Sequence, residues 1–398
     1  MSVIIALFHI LLLCAETVLA LMIGYLLLLT GAAVFAPRHT KPRQQSPTQR
    51  FLILVPAHNE ERLLPSLLAN LHQLDYPTSL YAIHVIADNC TDQTAALARA
   101  SGAIAHERVD DERRGKGYAL QWLMQQLDAS ATPHDAVLIL DADSIVSPNF
   151  LTVMDARLTR GERAIQSYYA VRDPQSSWSA SLRSVALAAL HYLRPLGRMP
   201  LGGSAGLKGN GMVFAAEILG EYQWTASLTE DIEYHMALIL GGHRVTFAPD
   251  AIVWAEMPSS LQAARTQNVR WERGRQEMLR QYVPRLLRAA VARRSFLLFD
   301  AAIEQIIPPF SLVAAGSVLS LIAAVVLQSM PAMLLGGFLL LGQAVYILAG
   351  LWLSGAPKKV YQALLYAPIF IIWKVWLYLR VLVGLDRKGW TRTTRNDI

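Results

Sequence analysis

The chain has 398 residues, 53% of them hydrophobic and only 17% charged, against about 25% charged for a typical soluble domain. That deficit excludes a wholly water-solvated protein and leaves room for one large domain or two ordinary ones beside lipid-solvated segments. The net charge of +6 would suit nucleic acid, but the basic residues crowd beside apolar runs, where they meet anionic lipid and set topology, so no nucleic-acid partner is expected.

Residues from Val3 to about Phe35 are almost entirely apolar, beyond the roughly 20 needed to span a bilayer. A cleaved signal peptide would carry basic residues ahead of a shorter apolar core; this run has neither and reads as an uncleaved transmembrane helix. Arg38, Lys41, Arg43 and Arg50 follow it, which puts this end in the cytoplasm. From Phe51 to about Pro258 the texture is that of an α/β domain. Short apolar runs at Phe51–Val55, Ala82–Ile86 and Ala136–Leu140 read as buried parallel strands, with helical stretches between them as βαβ units require. Cys14 and Cys90 fall in an apolar run and a polar turn, which excludes a disulfide framework or a cysteine metal site. From Leu261 to about Arg294, Arg mixes with Leu, Val, Met and Trp, as in amphipathic helices at a membrane interface.

Two further spans are expected, at about Ile306–Leu327 and Met333–Leu353. The joint between them is uncharged and the next loop carries Lys358 and Lys359, so the alternation of sides is kept. The last apolar run, about Tyr361–Gly384, holds Lys374 and Arg380, and the basic tail after it breaks the positive-inside rule if the helix crosses. Snorkelling, lining a polar cavity and lying in the interface are all open for it. Intramembrane charges usually face a bundle interior or water; Glu16 and Lys374 have opposite sign, so a pair between them is one arrangement to look for. The chain divides into a transmembrane helix (1–36), a catalytic domain (37–258), interfacial helices (259–300) and a membrane region of two or three spans with its tail (301–398).

Four polar clusters stand where an open α/β sheet binds ligands, at the carboxyl ends of its strands. Pro56-Ala57-His58-Asn59-Glu60-Glu61 follows the first strand and, alone, is a strand-to-helix turn. Asp88 to Thr94 follows the second; its residues suit a helix cap as well as hydrogen bonds to a base or ribose. Asp141-Ala142-Asp143-Ser144 ends the most apolar strand. Paired carboxylates cost energy unless a cation offsets them, and this is a hard-oxygen site for Mg²⁺ or Mn²⁺, which take few carboxylates plus substrate phosphates. Thr229-Glu230-Asp231 offers a base for an acceptor hydroxyl. Further on, Gln267-Asn268-Val269-Arg270-Trp271 combines hydrogen bonding, a phosphate clamp and a stacking face. An interfacial helix anchored by Arg and Trp would look the same.

Taken together, V-P-A-H-N-E-E at Val55–Glu61, D-N-C-T-D-Q-T at Asp88–Thr94, G-K-G-Y-A-L at Gly115–Leu120, D-A-D at Asp141–Asp143, G-N-G at Gly209–Gly211, T-E-D at Thr229–Asp231 and Q-N-V-R-W at Gln267–Trp271 resemble the inverting family 2 glycosyltransferases. Within them the chain is most similar to the membrane-integrated cellulose, chitin, hyaluronan and poly-N-acetylglucosamine synthases. The resemblance implies a GT-A fold, a Rossmann-like mostly parallel sheet, joined to transmembrane and interfacial helices. It implies that Pro56, His58, Glu60 and Asp88 hold the nucleotide, with Lys116 approaching it, and that Asp141 sits by ribose or diphosphate. Asp143 would bind Mg²⁺ or Mn²⁺, and Asp231, with Glu230 beside it, would be the general base. Gln267, Arg270 and Trp271 would close over diphosphate and acceptor, and Gly209, Asn210 and Gly211 fall where acceptor contacts are expected.

The expected donor is a UDP-hexose or UDP-N-acetylhexosamine, and the expected acceptor a growing polysaccharide at the cytoplasmic face of the inner membrane, in a multi-pass protein. Because the spans are fewer than in cellulose synthases, a sealed polymer channel within one chain is not expected; a shorter polymer, an oligomer and a partner-assisted export route are all open. The alternative is one sugar added to a membrane lipid, as in ceramide glucosyltransferases, which share the Gln-x-x-Arg-Trp motif. A non-catalytic scaffold would have no chemical need for Asp143, Asp231 and Arg270 together.

Overall fold

The computed structural model describes residues 2–39, 46–225, 227, 229–257 and 261–384. Lys41 and Arg43, the boundary near Pro258 and the basic tail lie outside them. The sheet has eight strands in the order β3-β2-β1-β4-β7-β6-β8-β5. β1 (Phe51–Ala57), β2 (Tyr81–Asp88), β3 (Ile104–Arg108) and β4 (Ala136–Ile139) run parallel. β7 (Met212–Ala215) is antiparallel to β4 and to β6 (Ala164–Val171); β8 (Val245–Ala255) is parallel to β6 and pairs antiparallel with β5 (Ser144–Val146).

β1 is an unbroken apolar run because both of its faces are covered. Phe51, Ile53 and Val55 pack in one core with α2 (Leu64–Leu71) and α5 (Phe150–Leu158). Leu52 and Leu54 point the other way, into a core with α4 (Lys116–Ala129) and α7 (Arg194–Leu201). Leu26, Leu29 and Ala33 of α1 (Ser2–Phe35) belong to that second core. α1 is long and apolar enough to span a bilayer and also packs under the sheet. It crosses α7 backbone to backbone: a Cβ on Gly197 would lie 2.2 Å from the Leu29 carbonyl oxygen.

α3 (Thr94–Ala100), α6 (Trp178–Leu187), α8 (Ala216–Leu219) and α9 (Glu230–Gly241) complete the catalytic part. The segment expected as several interfacial helices is one 33-residue helix, α10 (Leu261–Arg293), followed by α11 (Phe296–Ile306). Among the described residues three stretches are by themselves long and apolar enough to cross a bilayer: Ile4–Phe35, Met330–Leu353 (α13) and Lys358–Leu382, which contains α14 (Lys358–Gln362) and α15 (Ala367–Leu382). The span expected at Ile306–Leu327 falls on a bent pair of helices. α12 (Phe310–Val326) has 17 residues and qualifies only together with α11, from which it is bent by 65°. Pro308 and Pro309 fill the joint, where missing N–H donors and ring clashes stop a helix.

The Glu16–Lys374 pair is corrected. Lys374 on α15 pairs instead with Glu272 of α10 at 3.1 Å and donates to Asn268 at 2.7 Å, while Glu16 is fully buried beside Ser320 of α12. A depth mismatch between two helices cannot be seen in charge sign alone.

Candidate active site

Three parallel neighbours, β2, β1 and β4, end at one edge of the sheet, and their polar turns meet there. Asn59 and Asn89 adopt left-handed backbone (φ 57° and 51°), a conformation Asn tolerates. Their side chains stitch the turns: Asn59 accepts from Thr91 N at 2.7 Å and Asn89 from Asp110 N at 2.9 Å. His58 Nδ1 lies 2.8 Å from the Asp88 carbonyl oxygen, and Glu60 N donates to Thr94 Oγ1 at 2.8 Å. The cap reading fits Asp92, which accepts from Thr94 N at 3.0 Å. Asp88 is buried and paired with Arg108 at 2.6 Å through Oδ1, which leaves Oδ2 for a ligand. Pro56, His58, Glu60 and Asp88 all line one cavity of about 970 Å³.

Lys116 opens α4 and spans the next gap. Its Nζ donates to Asp141 Oδ1 and to the Gly209 carbonyl oxygen, each at 2.5 Å. Gly209 is at φ 77°, and a Cβ there would lie 3.4 Å from Asp231 Oδ2. Lys116, Asp141, Gly209 and Asp231 are thus brought together from four separate parts of the chain. Asn210 does something the sequence did not signal. It is fully buried, accepts from Asp141 N at 3.1 Å and donates to Ser144 Oγ at 2.7 Å. Those bonds hold the D-A-D turn in shape. Of the glycine turn, only Gly209 lines the cavity; Asn210 and Gly211 lie behind it. Gly211 (φ 65°) leaves no room for a Cβ, which would meet Ser167 Oγ at 2.0 Å.

Asp231 stands in the first turn of α9. Burial first, then the neighbouring Glu230, push its carboxyl up to about 7, against the opposing pull of Lys116 and Lys208. A base near the working pH is what proton abstraction from a hydroxyl needs. Gln267, Arg270 and Trp271 share the cavity-lining face of α10, and the Arg270 Nε is buried without a hydrogen-bond partner among the described residues. α10 can approach α9 because of Gly274: a Cβ there would come within 2.4 Å of Thr229 Cγ2. Tyr282 adds a hydrogen bond to Glu233 at 3.2 Å.

Arg183 of α6 was not anticipated. It is buried, lies over the Trp271 ring at 5.4 Å and reaches Gln267 Oε1 at 3.5 Å. His191 was missed too; it sits in a π-helical turn at Ala188–Leu193, stacks on Tyr169 and is pushed down to about 3 by burial, so it is neutral. A single π turn often marks a functional stretch, but its hydrogen-bond register leaves no trace in sequence. Arg183 and Arg194 carried a fainter signal, as charges inside apolar helical runs.

Among the described residues no three His, Cys, Asp or Glu groups converge. Asp141 is held by Lys116, and Asp143, two residues on, lines the same cavity. One protein carboxylate plus diphosphate oxygens and water suits Mg²⁺ or Mn²⁺, so the residues present fit such an ion.

The family model described as "Glycosyltransferase like family 2" matches residues 47–274. The chain is 30% identical over 195 residues to the 4,4'-diaponeurosporenoate glycosyltransferase of Staphylococcus haemolyticus, covering 46% of this chain and 48% of that protein. It is 27% identical over 220 residues to the beta-monoglucosyldiacylglycerol synthase of a Nostoc species (53% and 45%). Over 261 residues it is 27% identical to the poly-beta-1,6-N-acetyl-D-glucosamine synthase of Staphylococcus aureus (64% and 60%). The matches span about half the length of the first two relatives. Among solved structures, the mannosyltransferase of Pyrobaculum calidifontis in complex with GDP-Man and Mn²⁺ has a similar fold, with a TM-score of 0.57 at 19% identity over 95% of this chain and all of that one. With the family match covering more than half of its residues, the chain belongs to glycosyltransferase-like family 2, sugar-transferring enzymes built on a GT-A fold.

Proposed function

We propose that this enzyme is an inverting, divalent-metal-dependent transferase that adds a hexose or N-acetylhexosamine from a UDP-sugar to the hydroxyl of a membrane lipid at the cytoplasmic face. The observation that carries the reading is the cavity. It runs without interruption from the strand-end carboxylates to Phe310, Ile347, Leu364, Phe370 and Ile371 on the membrane helices. At about 970 Å³ it is at the upper end for small-molecule sites, roomy enough for a donor and a lipid headgroup. This reverses the order of preference drawn from sequence, where a polysaccharide came first. The polymerising reading keeps the similarity to the Staphylococcus aureus synthase in its support.

In this reading residues 37–258 form the catalytic domain, α10 closes it, and the helices on either side admit the acceptor. Pro56, His58, Glu60 and Asp88 hold the nucleoside, and Lys116 fixes Asp141 beside the diphosphate. Asp143 would hold the Mg²⁺ or Mn²⁺, which supplies charge compensation for the diphosphate. Asp231 takes the proton of the acceptor hydroxyl as its oxygen bonds to the anomeric carbon. The bond from that carbon to the diphosphate oxygen breaks, and its electron pair leaves with UDP. Arg270 and Lys116 stabilise the departing charge, while Trp271 and Gln267 orient sugar and acceptor. The archaeal mannosyltransferase is in complex with GDP-Man, so a guanosine donor belongs in the test.

The test uses purified full-length chain with radiolabelled UDP-glucose, UDP-N-acetylglucosamine and GDP-mannose and a membrane lipid extract. One organic-soluble product is expected, lost on adding EDTA. A ladder of water-soluble chains would overturn the lipid reading, and full activity in excess EDTA would remove the metal from it.

A further inference from the structure

The membrane end of the cavity holds charges that neither the donor nor the base requires. Glu304 of α11 is paired with Arg198 and, at 3.6 Å, with Arg194. Arg198 also faces Asp300 at 3.4 Å, and Tyr25 donates to Asp300 at 2.6 Å. Lys208 and Arg275 lie close enough to act on Glu304 as well. Four cations therefore surround two carboxylates. Adding the Lys374–Glu272 pair, whose carboxylate also acts on Arg275, leaves the excess unchanged. Counting an ionised Asp231, which acts on Lys208, still leaves a positive charge unmatched. His191 and His235 line the same region and are each pushed down to about 3 by burial.

Lys208 is the clearest member. It lies between Gly206 and Gly209, both in left-handed backbone, and lines the cavity one residue before Gly209, where an added Cβ would lie 3.4 Å from Asp231 Oδ2. Its ammonium makes no hydrogen bond or ion pair among the described residues, and burial pushes it down to about 8. Among the described residues Arg275 hydrogen-bonds only the Gln305 carbonyl oxygen, at 3.4 Å. Lys208 and Arg275 are half-buried and share the charge of Glu304 with Arg194 and Arg198; cations drawn out of water with too little counter-charge are costly, and an anion brought by a ligand is the group that removes that cost.

We propose that this cluster is the acceptor's headgroup site, and that the acceptor is a lipid carrying an oxyanion, phosphate or carboxylate, close to the hydroxyl that attacks. The inference rests on the lipid-acceptor reading above. With the oxyanion on Lys208, Arg194 and Arg275, the neighbouring hydroxyl reaches Asp231 while the tail lies along Phe310, Phe370 and Ile371. A neutral lipid would leave the cluster unmatched.

Full-length enzyme in mixed micelles is given labelled donor and an equimolar mixture of phosphatidylglycerol, a long-chain hydroxy fatty acid and diacylglycerol. Labelled lipid is then separated on an anion exchanger. Product retained at neutral pH is expected to exceed neutral product about tenfold, a charge-assisted contact being of that order. Retention at pH 3 identifies phosphate, and elution there identifies carboxylate. Lys208→Met is expected to raise KM for the anionic acceptor about tenfold with kcat changed far less, and Lys208→Arg to recover most of it. Mainly neutral product from wild type overturns the anionic site but leaves the lipid reading standing; no lipid product overturns both. An unchanged KM in folded Lys208→Met also overturns the site. The wild-type comparison decides the matter even if that variant fails to fold.

Discussion

At the strand-end side of the cavity two carboxylates each have their own cation: Asp88 has Arg108 at 2.6 Å and Asp141 has Lys116 at 2.5 Å. At the membrane side Arg194, Arg198, Lys208 and Arg275 share Glu304 and Asp300. The first arrangement is closed by short loops and needs nothing added to keep its shape. The second is left unbalanced inside the protein. In the proposed function the first would be the donor end and the second the acceptor end, with Asp231 at the boundary, where both must be filled before a proton moves.

The largest expected effect lies on that boundary. Asp231→Asn should lower kcat about 10²- to 10⁴-fold, the range for a lost general base, with donor KM nearly unchanged, as read from initial rates. A donor KM that rose in step would show that the two ends are not separate. Next comes the strut between α10 and α15. Lys374→Met leaves Glu272 buried without its cation and should cost about 3–5 kcal/mol of stability. Adding Glu272→Gln should recover much of it, and thermal unfolding of the single and double variants measures both. Gly274→Ala should cost about 1–3 kcal/mol through overpacking, because the new methyl meets Thr229. It should also weaken catalysis by shifting α10 from α9, whereas the same drop in stability with full activity would separate the clamp from the base.

The pH dependence gives a graded effect. Asp231 is protonated below about 7 and then cannot accept a proton. The rate should fall about tenfold per pH unit below that point and level off above it. For stability the sign is opposite. Between the ordinary 3.8 and about 7 the folded chain keeps a proton that the unfolded chain has lost, so stability declines as pH rises through this window. A rate profile flat from pH 5 to 8 would take Asp231 out of the base role.

The donor end was the legible part. Buried parallel strands are written as apolar runs, and polar residues directly after them sit at the sheet edge whatever else the chain does. Membrane packing was less legible, because a helix apolar all round gives no sign of which side faces protein. Nothing marks Leu26, Leu29 and Ala33 as core and Leu28 as lipid-facing, yet Leu29 is fully buried and Leu28 is 56% exposed. Pro308 and Pro309 were readable as a break, but an apolar stretch assessed by length alone runs through them. Asn210 was expected among the acceptor contacts, since sequence does not tell a side chain that meets ligand from one that ties down its neighbour. Lys208, Arg194 and Arg275 come from three distant segments, and their charge imbalance exists only once those segments are folded together.

The close crossing of α1 with α7 also bears on how the enzyme can be handled. Cutting the chain after residue 36 to obtain a water-soluble fragment would do more than remove an anchor. It would uncover the face of the sheet under Leu52 and Leu54 and take Tyr25 away from Asp300 and Arg198. Replacing the first helix with a generic membrane anchor would do the same, unless Leu26, Leu29, Ala33 and Tyr25 were carried over with it. Purification, display or fusion schemes for this protein therefore need to treat the first helix as part of the folding unit.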